Sequence, residues 1–226
     1  MPSVKISPAP AQILAVGDSQ TRAYDKAVKA KEFWTSRLQI DLRAAGYAAD
    51  TINLGNSGWT STQTLAIMQG RIARFNPDIL LIYIGVNDPG AAIAGATTQA
   101  NIQAMIDFAL STANATTVKG VGIIDTNYLN YSTGEGGGAT YATLRTYQLA
   151  AANYGIATYP GKVFYVPLFS WQSNLIATAV WTALHWQDSQ IADLDQHMNA
   201  NAHAQTSLCV KNYLTASNLM TSFLNT

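Results

Sequence analysis

Charge is scarce in this sequence. Only 12% of its 226 residues are Asp, Glu, Lys or Arg, about half the share usual for a soluble domain. Thirteen basic residues balance thirteen acidic ones, so no broad basic face exists to track a phosphate backbone, and nucleic acid is not an expected partner. Cysteine is nearly absent. Cys209 alone excludes an internal disulfide and any cysteine-based zinc cluster, and its apolar setting reads as that of a buried, inert thiol. No apolar run is long enough to span a membrane, and the N-terminal MPSVKISPAPAQ has no secretory h-region. No Walker-type phosphate loop occurs. The stretch Gly134-Glu135-Gly136-Gly137-Gly138-Ala139 nearly matches a dinucleotide fingerprint, but it follows a Tyr/Asn/Ser-rich stretch and not a strand, so it reads as a loop. No cofactor and no metal are expected.

What is present is apolar residue, 48% of the chain, enough for a sizeable core, and disorder is excluded by the same figure. The length suits one domain spanning residues 1–226, with residues 1–11 as an extended N-terminal tail. Short apolar runs alternate with amphipathic stretches. Strands are expected at Gln12–Val16, Asp50–Leu54, Ile79–Ile84, Val118–Ile124 and Val163–Val166. Helical spacing of apolar residues marks Glu32–Ala45, Thr60–Phe75, Thr98–Leu110, Tyr141–Ala152 and a closing helix from Ala202 to Leu224. This alternation predicts an α/β fold, a three-layer α/β/α sandwich around a five-stranded, mainly parallel sheet. In such folds ligands bind beyond the C-terminal ends of the strands, so the residues just after each strand are the ones to inspect.

Three of those positions carry polar side chains on tight turns. Gly17-Asp18-Ser19 follows the first strand. A serine there is either a nucleophile close to helix-terminal amides or a simple helix cap. Gly55-Asn56-Ser57-Gly58-Trp59-Thr60 follows the second, a loop that lets backbone amides approach a ligand or merely leads into a capped helix. Gly85-Val86-Asn87-Asp88 follows the third and also suits an ordinary turn.

Taken together, these blocks resemble those of the SGNH hydrolases, the GDSL-type esterases and lipases. The Gly-Asp-Ser block matches at Ser19, the N-x-G-x-S-G block at Asn53, Gly55, Ser57 and Gly58, and the G-x-N-D block at Gly85, Asn87 and Asp88. The resemblance implies a flavodoxin-like sheet and Ser19 as nucleophile. It also implies an oxyanion hole made by the Ser19 and Gly58 backbone amides and the Asn87 side chain. The family's fourth block, D-x-x-H, falls at His197, because His197-Met198-Asn199 with Ala202-His203 looks like the family's ending. The residue three before it is Leu194, a departure from the pattern, and Asp193 and Asp195 flank that position. A helical turn would favour Asp193 and an extended segment Asp195, while a backbone carbonyl is a third way to orient the imidazole. His203 reads as a capping or packing residue. Asp193, Asp195, His197 and His203 could also be grouped as metal ligands, but no second firm set of donors accompanies them.

Aromatic residues fall in the segments that should border the site: Trp59, Tyr128, Tyr131 and Trp171, with Gln172 beside the last. Flat rings and neutral polar groups suit stacking on sugars. The expected function is a serine esterase that removes short acyl groups, acetyl above all, from a carbohydrate. A lipase or acyl thioesterase preferring longer chains is an alternative, and a non-catalytic carbohydrate-binding or structural module of the same fold is another. The expected partner is a small-molecule or polysaccharide ester. The composition is compatible with a setting outside the cell or on a virion, without establishing it.

Overall fold

The computed structural model describes residues 9–22, 29–114, 116–126, 137–177, 198 and 200–224. The five strands are β1 (Ala11–Gly17), β2 (Ala49–Gly55), β3 (Ile79–Tyr83), β4 (Gly120–Ile124) and β5 (Val163–Val166). They form one sheet in the order β2-β1-β3-β4-β5, and every neighbouring pair is parallel. The helices are α1 (Ser19–Arg22), α2 (Trp34–Ala44), α3 (Ser61–Phe75), α4 (Gly95–Leu110), α5 (Gly137–Thr158), α6 (Leu168–Ala177) and α7 (Ala200–Ala216).

Period-two alternation in β1 sorts the core into two halves. Ile13 and Ala15 face Trp34, Leu38 and Leu42 of α2 and Cys209, Val210 and Leu214 of α7. Leu14 and Val16 face Met68 and Ile72 of α3, Ile102, Met105 and Ile106 of α4, and Ala151 and Ala152 of α5. The predicted three-layer α/β/α sandwich is the observed fold. Cys209 is fully buried, and burial pushes its thiol up to about 12.

The boundaries differ in instructive ways. The helix expected over Tyr141–Ala152 runs on to Thr158, because tyrosines near its end reach α4: Tyr154 Oη and Tyr159 Oη donate to the Asp107 carboxylate at 2.9 and 3.0 Å. The closing helix stops at Ala216, and the chain then turns through Asn218 at φ 62° into a 3-10 turn at Thr221–Phe223. Helix α6 was not expected from the sequence, and neither was α1. Ala11, assigned to the N-terminal tail, opens β1.

Strand order reverses between β1 and β3, since the chain moves from β1 outward to β2 and returns to the other side of β1. The crevice at that switch point is where an open parallel sheet binds ligands.

Candidate active site

Three segments leaving the C-terminal ends of β1, β2 and β3 meet at this crevice. β1 ends at Gly17, where an added Cβ would lie 2.0 Å from the Tyr83 carbonyl oxygen, so only glycine lets the two strands approach so closely. Asp18 follows, and Ser19 opens α1 with 7% of its surface exposed. After β2, the Asn56 N–H donates back to the Gly17 carbonyl at 2.9 Å, which holds this loop against the Ser19 turn. The loop continues as a β-turn from Asn56 to Trp59, closed by Trp59 N–H to Asn56 O at 3.2 Å, with Gly58 third at φ 76°. That is the type II arrangement, which demands positive φ at its third residue. Thr60 then caps α3, its hydroxyl and amide exchanging hydrogen bonds with Gln63.

After β3, the Asn87 side-chain amide donates to the Trp59 carbonyl at 2.9 Å, so Asn87 and the Gly58 turn are directly tied. Asn53, on β2, reaches the other way: its Nδ2 donates to Thr21 O at 2.6 Å and Thr35 Oγ1 at 3.0 Å, and its Oδ1 accepts from Gly55 N–H. The three segments form one hydrogen-bonded frame. Among the described residues, neither the Ser19 N–H nor the Gly58 N–H finds an acceptor, while Asn87 retains a second side-chain N–H beyond the one given to Trp59. Backbone amides left unpaired at a strand-end crevice are donors awaiting an anion or an oxyanion.

Two buried carboxylates underlie the frame. Asp18 is 1% exposed and Asp88 fully buried. Burial pushes Asp18 up to about 7, opposed by the Gln20 amide that it accepts and assisted by the negative charge of Asp88. Farther along the sheet, Asp125 at the end of β4 is raised to about 6, again by burial first. Its carboxylate accepts from Tyr165 Oη at 2.7 Å and from Phe169 N–H at 2.9 Å. The Arg145 guanidinium stands 3.6 Å over the Phe169 ring.

The structure therefore brings Ser19, Gly58, Asn87 and Trp59 to one crevice. Trp171 lies on α6, half-buried against the core beside α7. Gln172, expected at the rim, is fully buried, because it belongs to a helix that the sequence did not announce. His203 packs inside, its Nδ1 accepting from the Trp34 N–H at 3.4 Å, with Phe33 beside its ring. Tyr128, Tyr131, Asp193, Asp195 and His197 lie outside the described residues. A cavity of about 350 Å³ adjoins the Asn87 loop, lined by Pro89, Ile93, Thr98, Thr143, Leu144 and Tyr147 among others. None of Ser19, Gly58 or Asn87 lines it.

A family model described as GDSL-like lipase/acylhydrolase matches residues 15–205. The chain belongs to the GDSL-like lipase/acylhydrolase family. It is thus a serine hydrolase acting on ester bonds, an esterase or acylhydrolase. Among solved structures, this family member resembles TesA, at 22% identity and a TM-score of 0.66 over 91% of this chain and 99% of that one. It resembles the psychrotrophic esterase EstA from Pseudoalteromonas sp. at 19% identity and a TM-score of 0.62, over 91% and 97% of the two chains. A variant of Axe2, an acetyl-xylooligosaccharide esterase from a Geobacillus species, is similar at 16% identity and a TM-score of 0.70, over 93% and 96%. At such identities the likeness is one of fold. No curated protein matches the sequence. No helix among the described residues is long and apolar enough to cross a membrane.

Proposed function

We propose that this GDSL-family esterase removes short acyl groups, acetyl foremost, from a carbohydrate, acting as one domain through Ser19. The observation that carries the catalytic assignment is the pair of amides, Ser19 and Gly58, that find no acceptor among the described residues and are framed beside the Asn87 side chain. In this reading the Ser19 Oγ attacks the ester carbonyl while His197 Nε2 takes its proton. Asp193 or Asp195 holds the other ring nitrogen. The carbonyl oxygen, now an oxyanion, is met by the Ser19 and Gly58 amides and Asn87. His197 returns the proton to the leaving alcohol, and an acyl-enzyme remains. Water, deprotonated by the same imidazole, releases the acid and restores Ser19. The cycle needs no cofactor or metal.

Support for a short acyl group on a sugar comes from the low charge of the chain and from Trp59 at the crevice, with Tyr128, Tyr131 and Trp171 as further candidate stacking residues. The acetyl-xylooligosaccharide esterase among the fold relatives points the same way. A second reading, a preference for longer acyl chains, draws on the cavity beside the Asn87 loop, whose lining is largely apolar. One panel separates them. The enzyme should hydrolyse p-nitrophenyl acetate faster than the octanoate, release acetate from acetylated xylan, and lose both activities in Ser19→Ala. A preference for octanoate would replace the first reading with the second. Equal rates for wild type and Ser19→Ala would leave a non-catalytic module of the same fold.

A further inference from the structure

The two buried carboxylates beside the crevice have no cation among the described residues; each is held by N–H and O–H donors instead. Asp18 Oδ1 accepts the Gln20 N–H at 2.9 Å, within the Ser19 turn, and the backbone amides of Val86 and Gly85 lie close enough to favour its charge. Those two residues lead directly into Asn87. Asp88 Oδ1 accepts the Ser61 N–H at 2.8 Å, at the start of α3 and three residues past Gly58. Its Oδ2 accepts Thr98 Oγ1 at 2.6 Å on α4. Asp88 thus joins the Asn87 loop to the Gly58 turn and to α4, while Asp18 is bonded within the Ser19 turn and its charge is favoured by amides of the Asn87 loop. An isolated buried carboxylate is costly to keep, and these two lie within and between the segments that carry the three donors.

We infer that Asp18 and Asp88 are positioning residues that hold the Ser19, Gly58 and Asn87 donors in one rigid frame. The inference rests on the assignment of those donors to an oxyanion hole. Neither carboxylate touches substrate in this account. Each acts through the donors, so its loss should slow the chemical step and leave ground-state binding alone.

The test measures kcat and KM on p-nitrophenyl acetate for wild type, Asp88→Asn, Thr98→Val, Asn87→Ala and the Asp88→Asn/Asn87→Ala pair, with Ser19→Ala as the blank. Activity of wild type above the blank checks the underlying esterase reading separately. Given that activity, Asp88→Asn should lower kcat by about tenfold or more, since small displacements of catalytic donors cost that much, and should hold KM within about threefold. In the Asn87→Ala background the same change should cost clearly less than in wild type, because the two residues act in part through one group and are not additive. Thr98→Val keeps the carboxylate and is isosteric, so it should give a smaller kcat loss of the same kind; it decides the question if Asp88→Asn does not fold. Asp18→Asn removes a buried charge, and it should lower kcat without lowering Tm at about pH 8. A full multiplicative loss in the Asn87→Ala background, a loss confined to KM, unchanged kcat in both Asp88→Asn and Thr98→Val, or a kcat loss in Asp18→Asn only in step with a fall in Tm would each overturn the inference.

Discussion

At Asn87 the side chain makes one hydrogen bond to Trp59 O, and in the proposed site its second N–H, without an acceptor among the described residues, meets the substrate oxygen. Removing one such donor costs about 10²–10³ in kcat, so Asn87→Ala should be slow by that factor on p-nitrophenyl acetate. Its Tm should barely change, because the Ser61 N–H to Asp88 bond still joins the two loops. Asn87→Asp is nearly isosteric but brings a negative charge, and no N–H, to the place where negative charge develops; its kcat should be no higher than that of Asn87→Ala, and a faster Asp variant would remove Asn87 from the oxyanion hole. The location of this residue beyond β3 was readable from its place after the third apolar run. What the sequence could not show is that Asp18 and Asp88, visible only as members of their blocks, are both buried and mutually repulsive. Their donors, Gln20, Ser61 and Thr98, come from three different helices, and no local pattern links them.

Elements whose cause is local were legible, and those held by distant groups were not. β3 reads directly from its apolar run, and α3 from its spaced apolar residues and the cap expected at its start, which the structure shows to be Thr60. Gly46, at φ 89° just past α2, stands where a helix end calls for it. Helix α6 has no such marks. Its first turn is capped by a carboxylate from β4, Asp125 Oδ1 accepting the Phe169 N–H, across 44 residues of sequence. Likewise Gln148 of α5 ties Ile84 O at the end of β3 to Thr126 beyond β4, at 2.9 and 3.0 Å. Asp125→Ala would leave a half-buried Tyr165 hydroxyl and a helix-terminal amide without their acceptor, so it should cost about 1 kcal/mol, read as a lower midpoint in urea. A midpoint equal to wild type would mean that α6 needs no cap from β4.

Scarce charge becomes a statement about stability once the whole molecule is in view. The two ion pairs found among the described residues, Arg43–Asp50 and Lys119–Asp78, both involve exposed side chains, and such pairs contribute little. Three acidic residues, Asp18, Asp88 and Asp125, are instead interior. Asp18 is raised to about 7 and Asp125 to about 6 from an ordinary value of 3.8. Between the ordinary and the raised value the folded chain holds a proton that the unfolded chain has released, so raising the pH through that window withdraws stability. A tenfold change in proton affinity is worth about 1.4 kcal/mol at most, and in a chain of this size 1 kcal/mol moves Tm by roughly 2–4 °C. The Tm should therefore fall by several degrees between about pH 5.5 and pH 8. Added salt should change it little, since exposed pairs are the ones that salt screens. Asp18→Asn cannot titrate, and its Tm should be flatter across the same range. A wild-type Tm that rises from the lower pH to the higher would show that the fold holds neither proton. Activity runs against this trend, because the proposed base, His197, must be neutral to accept the Ser19 proton. The pH that favours the fold is then the one that disfavours the reaction, and the two curves, measured on one preparation, should cross in opposite directions.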